Sequence, residues 1–114
     1  MTSNHPLVSV IMNCYNAESF LKQALDSVLS QTYENWEIIF WDNVSSDNSA
    51  EIVLMYTDSR IKYFKATKHS PLGKARNLAM AKTSGEWCAF LDSDDLWLPD
   101  KLQKQVEIIN SDSS

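Results

Sequence analysis

The sequence predicts an α/β fold in which a parallel sheet is covered by helices on both faces, a three-layer α/β/α sandwich. Short apolar runs alternate four times with segments of helical periodicity along the 114 residues. This β-α-β-α order calls for parallel strands joined by helical crossovers. The chain length and a hydrophobic content of 44% fit a single domain, residues 1–114, with a buried core.

Four strands are expected in runs rich in β-branched and aromatic residues, at 7–12, 36–41, 61–65 and 87–91. The first and the second stop at polar residues, 13–16 and 42–43. The fourth, from Trp87 to Leu91, is mostly apolar, and we therefore expect it to be buried on both faces of the sheet.

Helices are expected between and after these strands, because apolar residues recur there at helical spacing. The first has its apolar face within 20–29 and can be capped by Asn16 or Ser19. The second follows a polar turn and is expected to run through Tyr56. The other two are expected at 73–81 and from residue 99 onward.

The fourth strand ends in a cluster of carboxylates formed by Asp92, Asp94 and Asp95. Like charges this close repel one another and favour a cation among them. In an extended segment Asp92 and Asp94 point to the same side, so both can bind one divalent ion. Mg²⁺ or Mn²⁺ suits such a pair, because these ions take one or two carboxylates and complete their shell with water and phosphate oxygens. The alternative is that Asp94 or Asp95 only caps the next helix.

The charge pattern narrows the functional class. The net charge is −5, the sequence pI is about 4.8, and the ten basic residues are scattered, so no nucleic-acid partner is expected. No apolar run reaches the ~18 residues of a membrane span, and the first residues do not resemble a secretory signal. We expect a cytoplasmic protein, either free or peripheral to the inner face of a membrane.

The two cysteines are not expected to form a disulfide. Cys88 lies about four residues lower in the sheet than Cys14 if their strands are parallel, which separates them by roughly 13 Å. A disulfide needs Cα atoms within about 7 Å of each other.

Polar residues gather at the carboxyl ends of three strands, which is where parallel sheets bind ligands when the strand order reverses. They follow the first strand at 13–16, the second strand at Asp42 and Asn43, and the fourth strand at Asp92 and Asp94. The sequence therefore predicts one ligand site along this rim. Neither a dinucleotide fingerprint nor a P-loop is present, because Gly73 and Gly85 are the only glycines.

Five ordered motifs resemble the family 2 glycosyltransferases, whose fold is the Rossmann-like GT-A type: residues 8–16, 29–33, 41–49, 75–77 and 90–95. The resemblance covers nearly the whole chain and implies the N-terminal, nucleotide-sugar-binding half of such an enzyme, ending after the fourth strand and its helix. It implies an inverting transfer of a sugar from a nucleotide diphosphate, UDP in most members, to a hydroxyl of a glycan or lipid-linked acceptor.

The resemblance also assigns roles to single residues. Asn13 and Tyr15 would line the nucleoside pocket. The family often has two acids where this chain has Asp42 and Asn43, and the second of them reads the N3–H of uracil. Asn43 can accept that hydrogen bond through its amide oxygen, or it can donate to another base. Asp42 either orients the nucleoside or holds its own loop through an Asx turn.

The remaining assignments concern the diphosphate. Arg76 would reach the base or the diphosphate, or else it is a surface cation paired with an acidic neighbour. Asp92 would approach the ribose or the metal, and Asp94 would bind the metal. His69 lies in the loop after the third strand and is expected to be solvated.

The catalytic base and the acceptor site are expected beyond Ser114, because family members carry them downstream of the Asp-x-Asp motif. An alternative is a truncated or degenerate module that serves as a binding or assembly partner without transferase activity. The open edge of the fourth strand would then favour a homo-oligomer. A response-regulator-like domain also places acids at strand ends, but it needs a lysine at a later strand end that this sequence lacks.

Overall fold

The computed structural model describes residues 5–92 and 96–112. Four strands alternate with four helices, as the sequence predicts. In chain order they are β1 (Val8–Cys14), α1 (Glu18–Leu29), β2 (Trp36–Asp42), α2 (Ser49–Leu54), β3 (Ile61–Lys65), α3 (Leu72–Met80), β4 (Trp87–Phe90) and α4 (Lys101–Asp112).

The strands form one parallel sheet in the order β3-β2-β1-β4. The chain moves outward from β1 through β2 to β3, and then returns to the other side of β1 to form β4. Strand order therefore reverses between β1 and β4. Strand β1 has β2 on one side and β4 on the other, and its Val8 is level with both Trp36 and Trp87. The carboxyl ends of all four strands meet at one rim, and the reversal puts the expected ligand crevice beside β1.

Helices cover both faces of the sheet, which confirms the three-layer prediction. Alternate residues of a strand point to opposite faces, so each strand contributes to two separate cores. The larger core lies beneath α1, α2 and α4 and includes Val10, Phe40, Leu25, Val53 and Leu102. The smaller core lies beneath α3 and includes Ile11, Ile39, Trp41, Ala75 and Ala79.

The prediction that the fourth strand is buried on both faces is wrong. Trp87 is 42% exposed and Phe90 is 46% exposed, although both are apolar. The reason is the position of β4 at the edge of the sheet, where β1 is its partner among the described residues. In addition, α3 packs mainly against β1 and β2. The face of β4 on the α3 side, which carries Phe90, is therefore left uncovered.

Two helix boundaries also differ from the sequence prediction. Helix α2 ends at Leu54, so it does not run through Tyr56. Met55, the residue after the helix, is 80% exposed. Helix α1 is preceded by Ala17, and neither Asn16 nor Ser19 provides a side-chain cap. Asn16 cannot cap the helix because its side-chain oxygen already accepts hydrogen bonds from the loop that follows β2.

A buried polar cluster lies at the amino end of the sheet. The carboxylate of Glu37, 3% exposed, accepts hydrogen bonds from Ser9 Oγ at 2.6 Å, from the Ser84 amide at 2.6 Å and from Lys62 Nζ at 2.7 Å. The amide of Gly85 donates to Ser9 Oγ at 2.8 Å. The turn before β4 is thereby attached to β1 and β2, far from the polar rim.

The cysteine prediction is confirmed. Cys88 is level with Ser9 in the sheet, several residues below Cys14 on the neighbouring strand, and both thiols are free. Burial raises the pKa of the Cys14 thiol. Among the described helices, none is long and apolar enough to cross a membrane.

Candidate functional site

Of the polar residues predicted to meet at one rim, those that the structure describes do meet there, whereas Asp94 lies outside the described residues. Asn13 and Asp42 lie at the carboxyl ends of β1 and β2, and Asp92 lies two residues beyond the end of β4. Two adjoining clefts open between these strand ends. One, of about 220 Å³, is lined by residues from the ends of β1 and β2 and from the loop before α3. The other, of about 410 Å³, extends from β1 and the start of α1 to Asp92. Asn13 and Tyr15 line both clefts.

The loops after β1 and β2 are fastened to each other. Asn16 has a left-handed backbone with φ of 51°, and its Oδ1 accepts from the amides of Ser46 at 2.7 Å and Asp47 at 3.3 Å. In return, the Asn16 amide donates to Ser45 Oγ at 3.0 Å, and the Glu18 amide donates to Asp47 Oδ2 at 3.1 Å. The start of α1 is therefore held by the second loop, which fixes the floor of the larger cleft.

Asp42 supports this loop from below. It is 1% exposed, and its Oδ1 accepts from the Ser45 amide at 2.9 Å while its Oδ2 accepts from Tyr63 OH at 2.7 Å. Burial, together with the hydrogen bond to Asp42, raises the pKa of Tyr63. Of the two roles open for Asp42, the structure contains the Asx-turn contact, and contact with a nucleoside stays a prediction.

Asn43 has protein partners at each of its polar groups. Its Nδ2 donates to the Ser70 carbonyl at 2.7 Å, and its Oδ1 accepts from the Ser70 amide at 2.9 Å. Its amide donates to the Cys14 carbonyl at 2.8 Å, and its carbonyl lies 3.1 Å from Nδ1 of His69. Asn43 is 6% exposed. The side chain thus joins the end of β2 to the loop before α3, and base reading by Asn43 stays a prediction.

His69 has contacts that the sequence does not predict. It is exposed, as expected for a loop residue, but its ring lies 4.5 Å from the ring of Tyr15 at an interplanar angle of 61°, an edge-to-face pair. Tyr15 itself is 54% exposed. The only sequence signal for His69 was its place just after a strand whose carboxyl end reaches the same rim.

Arg76 and Asp92 join α3 to the end of β4. Arg76 Nη2 lies 3.6 Å from Asp92 Oδ1, and its guanidinium lies 5.5 Å from the centre of the Phe90 ring. The two charged side chains are 41% and 66% exposed, so the ion pair itself contributes little stability. Both groups keep a solvent-facing side at which a ligand can bind.

Asn13 contributes an acceptor that has no partner among the described residues. Its Oδ1 is buried and unpaired, and so is Nε1 of Trp41, which is level with Asn13 on the neighbouring strand. Buried polar atoms normally have a hydrogen-bond partner, so these two unpaired atoms distinguish the rim from the rest of the described sheet.

The described residues supply one of the two predicted metal ligands. Asp92 is an exposed hard-oxygen donor, whereas Asp94 lies outside the described residues. Within the described part of the chain, no group of three or more His, Cys, Asp or Glu residues could hold a metal ion. This donor set still fits Mg²⁺ or Mn²⁺, because those ions need only one or two protein carboxylates and take the rest from water and phosphate.

A comparison with models of known protein families identifies the family of this chain. The model for glycosyl transferase family 2 matches residues 9–114. The chain belongs to glycosyl transferase family 2. The predicted resemblance is thereby confirmed.

Two bacterial relatives, both named as glycosyltransferases, show how much of a relative the chain covers. It is 46% identical over 103 residues to the UDP-Glc:alpha-D-GlcNAc-diphosphoundecaprenol beta-1,3-glucosyltransferase WfgD of Escherichia coli, covering 90% of this chain and 41% of that protein. It is 41% identical over 111 residues to the putative teichuronic acid biosynthesis glycosyltransferase TuaG of Bacillus subtilis, covering 96% of this chain and 44% of that one. The chain therefore spans less than half the length of these relatives.

Solved structures confirm the GT-A fold. The Staphylococcus aureus protein TarS, residues 1–349 in complex with UDP-GlcNAc, matches with a TM-score of 0.87 at 30% identity, over 91% of this chain and 31% of that one. The mannosyltransferase PcManGT of Pyrobaculum calidifontis, in complex with GDP-Man and Mn²⁺, matches with a TM-score of 0.76 at 26% identity, over 82% of this chain and 29% of that one.

Proposed function

We propose that this chain is the nucleotide-sugar-binding part of an inverting glycosyltransferase. The enzyme would move a sugar from a nucleotide diphosphate, a UDP-sugar, to a hydroxyl of a glycan or lipid-linked acceptor. The observation that carries the proposal is the meeting of Asn13, Tyr15, Arg76 and Asp92 beside β1, at the reversal of strand order, in a family 2 chain.

The names of the relatives support the donor and acceptor classes. The E. coli relative is named for UDP-glucose as donor and a diphosphoundecaprenol-linked sugar as acceptor. TarS was solved with UDP and with UDP-GlcNAc, whereas PcManGT was solved with GDP-Man. A membrane-linked acceptor agrees with a cytoplasmic protein that works at the inner face of a membrane.

The residues of the rim have separate tasks in this proposal. Tyr15 and Asn13 contact the nucleoside, because they line both clefts. Asp42 and Asn43 complete the nucleoside side of the site through the loops that they fasten. Arg76 offers a planar guanidinium to the diphosphate, a geometry that suits oxygen acceptors.

Asp92 and Asp94 would hold the Mg²⁺ or Mn²⁺ ion. When bound, such an ion stabilises the charge that grows on the diphosphate as the sugar leaves. Arg76 lies beside Asp92 and adds fixed positive charge at the same place. The acceptor hydroxyl needs a carboxylate base on the opposite face of the sugar, and that base stays a prediction for a segment after Ser114.

A thermal-shift titration tests the proposal. UDP, GDP and CMP are each added to the purified chain with and without Mn²⁺. A ligand at 100 times its dissociation constant stabilises the folded state by about 2.7 kcal/mol, which raises the melting temperature of a domain this size by at least several degrees. We expect UDP to act, and to act only with the metal.

Three variants test whether the rim residues are responsible for the UDP-dependent rise in melting temperature. Asp92→Asn and Arg76→Gln should each abolish most of the UDP-dependent shift, whereas Asp100→Asn should keep it. Asp100 is a matched control, because it is paired with Lys104 at the start of α4. If none of the nucleotides raises the melting temperature with Mn²⁺ or Mg²⁺, the proposal is contradicted and a binding or assembly module becomes the better interpretation.

A further inference from the structure

The basic residues of this acidic chain are concentrated in one segment. Seven of the ten lysines and arginines lie within residues 60–82, although they form no consecutive run. Residues 59–85 contain no aspartate or glutamate, so all fifteen acidic residues lie elsewhere in the chain. The segment includes β3, α3 and the loop that joins them. A protein with a net charge of −5 therefore carries one strongly positive region.

Three of the seven cations are neutralised within the fold. Arg60, Lys62 and Arg76 each lie beside a carboxylate, at 2.7, 2.7 and 3.6 Å. The other four are exposed lysines without an ion pair in the described part of the chain: Lys65, Lys68, Lys74 and Lys82. None of these four lines either cleft of the candidate site. The proposed donor site therefore leaves them unexplained.

Helix α3 gathers two of these lysines into one row. Two alanines of the helix are buried against the sheet, so its remaining sides face outward. Lys74 and Leu78 lie about one helical turn apart, and Lys82 continues the row just beyond the end of the helix. Lys82 Nζ lies 5.6 Å from the centre of the Phe64 ring, which puts the row on the β3 side of the helix.

Exposed apolar side chains accompany the lysines on the outward side of α3. Leu78 is 38% exposed and Met80 is 42% exposed. We call this surface, with the loop before the helix, the basic face: Lys68, Lys74, Leu78, Met80 and Lys82. Lysines mixed with apolar side chains are typical of a helix that lies on a membrane, where cations meet anionic headgroups and apolar groups reach the acyl chains. Nucleic acid presents mainly phosphates and would leave the apolar side chains without partners.

We propose that the basic face is a docking surface for an anionic lipid bilayer. The inference rests on the proposed function, since docking there brings a lipid-linked acceptor close to the donor site. Leu72, the first residue of α3, lines both clefts, so the basic face and the site share a border. Acidic residues on the far side do not cancel the attraction. The molecule is 22 Å across in its shortest dimension, and charges are screened over about 8 Å at physiological ionic strength.

Vesicle co-sedimentation of the purified chain tests the inference. The partition coefficient is measured with vesicles of equal parts phosphatidylglycerol and phosphatidylcholine, and with vesicles of phosphatidylcholine alone. We expect binding to the anionic vesicles only. It should fall at least about tenfold when the ionic strength rises from about 0.15 M to about 1 M, where the screening length is about 3 Å. Equal binding to both kinds of vesicle, or to neither, overturns the proposal.

A double variant tests whether the basic face is responsible. Lys74→Gln with Lys82→Gln should lower the partition coefficient on anionic vesicles about 25-fold, about fivefold for each lysine near the surface. Lys22→Gln with Lys104→Gln is the matched control. It changes the net charge equally, at two exposed lysines of α1 and α4 that are paired with aspartates. Equal losses in the two double variants would show a general charge effect and overturn the assignment.

Leu78→Gln separates a bilayer from a nucleic acid as the partner. Because Leu78 reaches the acyl boundary in this proposal, its replacement should weaken vesicle binding severalfold and leave binding to duplex DNA unchanged. The opposite pattern overturns the proposal and assigns the basic face to nucleic acid: unchanged vesicle binding by Leu78→Gln, with DNA binding that depends on Lys74 and Lys82. The melting temperature of each variant confirms that it is folded.

The outcomes also separate this inference from the proposed function, because vesicle binding is measured without nucleotide. A chain whose melting temperature rises with UDP and Mn²⁺, but which does not bind anionic vesicles, overturns the docking surface and leaves the donor site standing. A chain that binds anionic vesicles through the basic face, but responds to no nucleotide, supports the docking surface and contradicts the proposed function.

Discussion

Asp42 connects the strand that carries it to both the loop above and the strand beside it. It contacts Ser45 in its own loop and Tyr63 of β3, and it is almost completely buried. A buried carboxylate that serves two donors is costly to remove, because each donor is then left without a partner. The residue therefore stabilises the site whether or not it touches a nucleotide.

We expect Asp42→Ala to lower the free energy of unfolding by about 2–4 kcal/mol, because two buried donors lose their acceptor. Tyr63→Phe should cost less, about 1–2 kcal/mol, since Asp42 keeps its bond to Ser45. Urea unfolding of both single variants and of the double variant measures the coupling between the two side chains. Additive losses would show that the 2.7 Å contact contributes no stability.

Glu37 should make stability depend on pH. Burial disfavours its ionised form, but the hydrogen bonds from Lys62, Ser9 and Ser84 outweigh burial and hold the pKa of Glu37 below its ordinary value of 4.5. A carboxyl whose pKa is lower in the folded than in the unfolded state stabilises the fold fully above the unfolded pKa. This contribution is lost as the pH falls below about 4.5 and passes through the lower pKa of the folded protein.

Glu37→Gln should therefore reduce the loss of unfolding free energy between pH 7 and pH 3, because one proton-linked group is removed. The measurement is urea unfolding at several pH values across this range. Glu107→Gln is the control, because Glu107 is exposed on α4. Equal pH dependence in Glu37→Gln and in the wild type would contradict the role assigned to the cluster.

At the scale of elements, the start of β4 depends on a close backbone approach. A Cβ atom at Gly85 would lie 2.5 Å from Ser9 Oγ, 2.6 Å from the Leu7 carbonyl oxygen and 2.8 Å from the Ser9 amide. Two of these neighbours are backbone atoms that cannot move without disturbing β1. Glycine is needed here because a side chain has no room, not because of a left-handed backbone.

Gly85→Ala is expected to lower the free energy of unfolding by about 1–3 kcal/mol, the usual cost of overpacking. Gly73→Ala is a matched substitution with the opposite expected sign. A Cβ at Gly73 meets nothing within 4 Å, and alanine is the better helix former by up to about 1 kcal/mol in α3. Urea unfolding of both variants decides. A neutral Gly85→Ala would mean that the turn before β4 relaxes freely away from β1.

The whole molecule shows which features the sequence could predict. The type and order of the eight described elements follow from apolar runs in the strands and from helical spacing of apolar residues between them. The predicted ends of the strands are less accurate. Strand β1 continues to Cys14, beyond the predicted end at residue 12, because it stays paired with β2 after its side chains become polar. Hydrophobicity marks the end of an apolar run, not the end of a hydrogen-bond ladder.

The candidate site was predictable only in part, for a related reason. Strand ends bring Asn13, Asp42 and Asp92 to one rim as a matter of topology, and topology could be predicted. The contacts of Asn43 with Ser70 and His69 join loops that are more than 25 residues apart in the chain. No local pattern encodes such pairs, so the sequence suggested a base reader at Asn43 and a solvated histidine at position 69.

The exposed β4 leads to a prediction about assembly of the 114-residue chain. Its edge can pair with a second copy, because Trp87 and Phe90 are half-exposed and no charged side chain lies within Trp87–Phe90. We expect the chain to self-associate, with a weight-average mass that rises with concentration in sedimentation equilibrium. Trp87→Lys should weaken this association at least tenfold, since a lysine on an edge strand opposes pairing. Leu54→Lys, at a residue 62% exposed on α2, should leave it unchanged. A mass that stays monomeric at all concentrations, or that responds equally to both variants, would contradict association through β4.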